Sequence, residues 1–273
     1  MSDVQTGFAE INGARIYYEV AGQGDPVTFV HAGVSDHRLW DAQFAALQSN
    51  YRVIRYDLRG YGQTTSPAMP YSHHEDLRAL LTHLGVERTA LVACSMGGTA
   101  ALDFLLTYPA MASALVMVCS SPSGYQPQGA PPPLILQLIA ASQARDAERM
   151  ANLAVLIWGV GENRKPEQVD QHFRDLVYEM SLIGFKSQLG GLPQSGSITP
   201  PALGRLSEVH VPTLIIDGAE DSPAVHAAGE LMASQIEGAR RKLMANVAHL
   251  PSLENPAEFN KLIVPFLDEA LNQ

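Results

Sequence analysis

The stretch Leu91-Val92-Ala93-Cys94-Ser95-Met96-Gly97-Gly98 constrains the fold more than any other part of the chain. An apolar run of strand type ends in a serine with a small residue two positions away on either side, and a helical pattern starts near Thr99. A strand that passes at once into a helix must turn its backbone sharply, which requires small residues around the turn. The hydroxyl at its centre then stands over the C-terminal edge of a sheet, at a helix N-terminus. There the N–H of Met96 faces any negative charge that develops beside it.

The rest of the chain supplies such a sheet. Short β-type runs alternate with helical patterns, as in a mostly parallel sheet covered by helices on both faces. Phe8–Ile11, a turn at Asn12-Gly13 and Ala14–Val20 make an antiparallel start. Val27–Val30, Val53–Tyr56, Ala90–Ala93, Leu115–Val118, Thr213–Ile216 and Lys242–Met244 follow and bring the sheet to eight strands. The central runs are continuous and apolar, as strands buried on both faces should be. Ser72-His73-His74-Glu75 reads as a capping box ahead of Leu77, Leu80, Leu81 and Leu84. Asn255-Pro256-Ala257-Glu258 reads as a cap with proline at the first helical position, and Pro265 should kink or end the helix behind it.

Between Ser120 and about Arg205 the alternation stops. A Pro/Gly-rich opening, Gln126–Pro133, leads into apolar helical runs at Leu134–Ile139, Leu153–Trp158 and Val177–Ile183, and Gly190–Pro201 closes the segment as a loop. This divides the chain into an α/β core, residues 1–121 and 206–273, and a helical insertion, 122–205. A chain of 273 residues, 46% of them hydrophobic, is long enough for both. A formal net charge of −10 with no basic stripe argues against nucleic acid or an anionic membrane as partner. Two cysteines, Cys94 and Cys119, make neither a disulfide framework nor a zinc site. No leader-like N-terminus and no membrane-spanning run is visible, so a cytoplasmic protein is the expectation.

On these residues the chain resembles the α/β-hydrolase fold superfamily, and within it the single-cap serine esterases and lactonases, 3-oxoadipate enol-lactonases included. The elbow departs from the usual Gly-x-Ser-Met-Gly-Gly only in Ala93. The resemblance implies Ser95 as nucleophile and Cys94, one residue earlier, as a packed thiol. It places the acid and the histidine after Ser95 in the chain. Among nine histidines, His249 in Ala248-His249-Leu250-Pro251 follows the last strand, where the family keeps its catalytic histidine. Asp221 in Asp217-Gly218-Ala219-Glu220-Asp221 matches the family's acid, with Asp217 and Glu220 as alternatives. Val30-His31-Ala32-Gly33-Val34 matches the loop that completes the oxyanion hole with Met96. Gly33 is the donor by that match, Ala32 and Val34 the alternatives, and His31 the residue that shapes the loop. Asp57-Leu58-Arg59-Gly60-Tyr61-Gly62 matches a turn-fixing signature.

The implied activity is cofactor-free acyl transfer to water on a small or medium, partly apolar ester or lactone, with no metal and with homo-oligomerisation left open. A carbon–carbon bond hydrolase, a perhydrolase and a ligand-binding receptor on the same fold are the rival readings. In the insertion, Leu134, Leu138, Ile139, Leu156, Trp158, Met180, Leu182 and Phe185 mostly pack helices together, and the remainder should make the pocket apolar. Arg145, Arg149, Arg164, Lys165, Arg174 and Lys186 are either carboxylate ligands or solvated faces.

Overall fold

The computed structural model describes residues 4–271, so the outermost ends of the expected core segments lie outside the described residues. The eight strands are β1 (Gln5–Ile11), β2 (Ala14–Ala21), β3 (Pro26–Val30), β4 (Arg52–Tyr56), β5 (Thr89–Cys94), β6 (Ala112–Val118), β7 (Thr213–Gly218) and β8 (Arg240–Met244). They form one sheet in the order β1-β2-β4-β3-β5-β6-β7-β8. The β1–β2 and β2–β4 pairs are antiparallel and the rest parallel. Every strand read from the sequence is present.

Side chains alternate across the central strands, and this splits the core into two layers. Phe29, Val92, Val116 and Ile216 pack with α1 (Asp41–Leu47) on one face. Leu91, Leu115, Met117 and Ile215 pack on the other with α2 (His73–His83) and α3 (Met96–Thr107). Between β6 and β7 lie α4 (Pro133–Gln143), α5 (Ala147–Ala154), a π-type turn at Val155–Val160 and α6 (Gln171–Leu189). The chain then returns through a loop to β7 and finishes with α7 (Pro223–Gln235), β8, the short α8 (Pro251–Glu254) and α9 (Pro256–Leu271). Phe259, Ile263, Phe266 and Leu267 of α9 are buried in the first layer.

The structure adds detail at three places. Pro265 does not end α9, which continues to Leu271. The strand at Lys242–Met244 is the sheet edge, with Leu243 exposed and three basic residues along it, a composition suited to an unpaired edge. The capping box at Ser72 does not form. Ser72 stands at the N-cap position, but its side chain makes no cap bond, and the His73 N–H donates instead to Ser195 Oγ at 2.9 Å. At the other end of the chain the expected cap is made: the Glu258 N–H donates to Asn255 Oδ1.

Candidate active site

The β5 register puts Ser95 one residue beyond the strand end, where its N–H donates to Val118 O of the neighbouring strand at 2.8 Å. The backbone then turns at φ 53, ψ −119, a conformation that costs an ordinary residue roughly 1–3 kcal/mol and must be held by its surroundings. Gly97 and Gly98 show what holds it. A Cβ on Gly97 would lie 2.4 Å from His31 O, and one on Gly98 would lie 2.1 Å from Ser120 Oγ. The start of α3 is thus wedged between the ends of β3 and β6, and the sharp turn exposes the serine hydroxyl.

Two loops from the far side of the sheet reach this hydroxyl. His249 Nε2 lies 2.8 Å from Ser95 Oγ, and His249 Nδ1 lies 2.6 Å from Asp221 Oδ2. With Nδ1–H donating to the carboxylate, Nε2 is left as the acceptor for the serine proton. Asp221 and His249 are both buried. Burial alone would raise the Asp221 carboxyl, but the His249 ring and the Ser222 N–H outweigh it and hold the group below its ordinary range. The acid stays ionised beside the imidazole.

The alternatives to these residues make no hydrogen bond to the His249 ring among the described residues. Asp217 Oδ2 accepts from Arg241 Nε at 2.8 Å, away from the histidine. Glu220 holds its loop through its backbone, its N–H donating to Val247 O. Cys94 is fully buried, with its thiol 3.6 Å from His249 O and its pKa pushed up by burial, the setting of a packed thiol.

Gly33 and Met96 face each other across the β3–β5 pair. Val30 and Ala93 are registered partners, so Gly33 and Met96 each lie three residues past the same rung, and a Cβ on Gly33 would touch the Met96 side chain at 3.4–3.6 Å. Met96 is the first residue of α3, where N–H groups have no intrahelical acceptor. His31 shapes the loop as expected: Nδ1–H donates to Ala32 O at 2.8 Å and Nε2 accepts from the Leu58 N–H at 2.9 Å. Burial also pushes its pKa down, in keeping with a neutral ring. Ala32, the first alternative, has its N–H on Ser35 Oγ. Val34 is buried, and its carbonyl accepts from Ser181 of α6.

Asp57 fixes its turn, taking the His37 N–H and the Gln63 N–H. Arg59 lies buried in a two-pronged contact with Asp76, at 2.6 and 2.8 Å.

Three contributors carried no sequence signal. The His249 N–H donates to Trp158 O of the π-type turn. Arg164 binds Gly159 O, Val160 O, Asn246 O and the Glu254 carboxylate, and Glu254 in turn accepts the Ala248 N–H. Cys119, at φ 46, puts its thiol near Ala248 O and beside the acid. Their partners are distant in the chain, so neither spacing nor periodicity could announce them.

Ser95 and His249 open on a cavity of ≈ 720 Å³. None of the eight apolar insertion residues lines it, and none of the six insertion cations does. Its polar lining comes from Tyr71, His73 and His74 around the start of α2, Thr99 and Asp103 from α3, and Gln194–Ser197 from the loop after α6, and Tyr61, Met96, Leu192 and Val225 supply apolar surface beside them. Most of the apolar insertion residues go to helix packing, Phe185 buried in the core and Leu134, Leu138, Leu156, Trp158 and Leu182 against it, while Ile139 is exposed. Two acid-containing clusters have ligand atoms within 4.8 Å of one another, Cys119–Asp221–His249 and Asp36–His37–Asp57. In both, the carboxylates already accept hydrogen bonds from protein donors.

An eight-stranded, mostly parallel sheet with Ser95, His249 and Asp221 in hydrogen-bond contact on the loops at one edge defines a class, and residues 25–256 match the family model of the alpha/beta hydrolase fold. The chain belongs to that family: it is an enzyme of hydrolase type, similar to esterases and lactonases. It is 26% identical over 254 residues to 3-oxoadipate enol-lactonase 2 of Acinetobacter baylyi, covering 90% of each chain. Among solved structures it matches "Est816 as an N-Acyl homoserine lactone degrading enzyme" with TM-score 0.76 and 26% identity, over 95% of this chain and 99% of that one. Esterase RhEst1 from Rhodococcus sp. ECU1013 superposes with TM-score 0.82 at 21% identity, covering 99% and 100%, a likeness of fold. Among the described residues no helix is long and apolar enough to cross a membrane.

Proposed function

We propose that the protein is a serine hydrolase of carboxylesterase or lactonase type, acting on a small-molecule ester or lactone through an acyl-enzyme. The observation that carries this reading is the continuous contact from Asp221 through His249 to Ser95, at 2.6 and 2.8 Å, ending on a strained serine that opens into a cavity. In the mechanism, Nε2 of His249 takes the Ser95 proton as Oγ attacks the carbonyl, and Asp221 fixes the ring's tautomer and stabilises its charged form. The N–H groups of Gly33 and Met96 receive the oxyanion. The charged ring returns its proton to the leaving oxygen, and water then attacks the acyl-enzyme by the same relay. Residues 122–205 act as a cap on the core formed by 1–121 and 206–273. The enol-lactonase and acyl homoserine lactone relatives make lactones a first group to screen.

The test is incubation with a fluorophosphonate followed by intact mass, beside Ser95→Ala. The expected result is one adduct on the wild type and none on the variant, with kcat on simple esters and lactones lowered about 10⁴-fold or more by the substitution. A folded wild type that takes no adduct would turn the reading towards a binding protein.

A further inference from the structure

The cavity wall built by the start of α2 is not used by the acyl-transfer chemistry. His73 lines it, is 4% exposed, and has a ring Nδ1 that finds no partner among the described residues. A buried polar atom without a partner calls for one from outside the chain. The ring is set firmly in place. Tyr71 meets it edge-on at 5.1 Å, its own N–H is held by Ser195, and the Gly196 N–H donates to Tyr71 O across the cavity mouth.

The charges nearby select what that partner can be. Among the described residues, Arg59 is the one Lys or Arg side chain lining the cavity. Its guanidinium already serves Asp76, Ser66 Oγ and the carbonyls of Ile11 and Asn12. Asp103 likewise accepts from Ser123 Oγ and from the Ile198 N–H. Burial, with the Arg59 charge nearby, pushes His73 down to about 3, so the imidazole is neutral and offers one donor and one acceptor. A carboxylate would find no free cation here; a hydroxyl or an amide would find a matching group.

We infer that this wall is a specificity subsite in which His73 hydrogen-bonds an uncharged hydroxyl or amide on the substrate, remote from the scissile carbonyl. The inference rests on the acyl-transfer reading above and adds the substrate class: neutral esters or lactones with a polar arm, not acid-tipped ones.

The experiment compares matched p-nitrophenyl esters of hexanoic, 6-hydroxyhexanoic and adipic (mono-ester) acids, and butyrates of hexanol and 1,6-hexanediol, on wild type, His73→Phe and His73→Gln. Melting temperature and fluorophosphonate labelling are recorded for each protein. For at least one of the two pairs, wild type should favour the hydroxyl-bearing ester by tenfold or more in kcat/KM, and should disfavour the carboxylate-tipped one. His73→Phe should abolish the hydroxyl preference, mostly through KM, while keeping labelling and turnover of the unsubstituted esters. His73→Gln should restore part of it. No hydroxyl preference in a wild type that labels, equal losses on both members of a pair, or a preference for the acid-tipped ester would each overturn the subsite. A wild type that does not label fails at the earlier step and is distinguishable from all of these.

Discussion

At the scale of single residues, the exposed Ser95 hydroxyl depends on atoms that are absent. The turn at Ser95 exists because Gly97 and Gly98 let the helix start touch the ends of β3 and β6, and a methyl on Gly97 would meet two backbone carbonyls, His31 O and Val30 O, at 2.4 and 2.6 Å. Backbone cannot swing aside as a flexible side chain can. Gly97→Ala should therefore lower stability by about 1–3 kcal/mol, the range for overpacking, and reduce activity in whatever fraction still folds, read by melting temperature and by labelling stoichiometry. The carboxylates give a cleaner contrast. Asp221→Asn should leave the fold intact and cut kcat by about 10⁴-fold, the order seen when a triad acid is neutralised. Asp217→Asn, four residues earlier and bound to Arg241, should leave kcat within a few-fold. Steady-state kinetics on both variants decide which acid orients His249; comparable losses would mean the relay is shared.

At the scale of elements, the histidine loop is held from the insertion. Arg164 joins two carbonyls of its own segment to Asn246 O and the Glu254 carboxylate, and Glu254 holds the N–H of Ala248, the neighbour of His249. Both charged side chains are 11% exposed. Removing one partner of such a nearly buried pair costs roughly 3–5 kcal/mol. Arg164→Ala should thus lower the melting temperature by on the order of 10 °C and kcat by more than KM rises, because it loosens the base rather than the cavity wall; an unchanged kcat would show the loop standing on its own. This contact also marks where reading the sequence stopped. The eight strands, the elbow and Asn255's cap were legible because each is announced by its immediate neighbours: apolar runs, small residues around Ser95, proline after asparagine. Ser72 looked equally local, yet the first amide of α2 is capped by Ser195, 122 residues away. The source of the cavity's lining was hidden for the same reason. Apolar periodicity in the insertion reported helix packing, while the cavity's polar groups come from a helix start and an aperiodic loop that carry no such pattern.

At the scale of the whole molecule, a network of buried charge ties the antiparallel end of the sheet to the loop beneath the site. His37 Nδ1 and N–H both reach Asp57 Oδ1 at 2.8 Å, Glu19 lies 3.7 Å from the other ring nitrogen and pairs with Arg55, and Arg55 also meets Asp41. Asp57 in turn fixes the turn whose next amide, Leu58 N–H, donates to His31. Burial disfavours the charged form of His37, but the hydrogen bond and charge of Asp57, with Asp36, prevail and raise its pKa above the ordinary 6.5. A histidine whose pKa is raised on folding adds stability that is fully present below the unfolded value and is lost as pH rises through the folded value. Stability should accordingly fall as pH climbs above about 6.5, and His37→Gln, which keeps a hydrogen-bond donor without the charge, should flatten that part of the profile. Melting curves across this range on the two proteins test it. Parallel profiles would show that His37 stays uncharged in the folded protein, leaving Arg55 as the cation that holds this network.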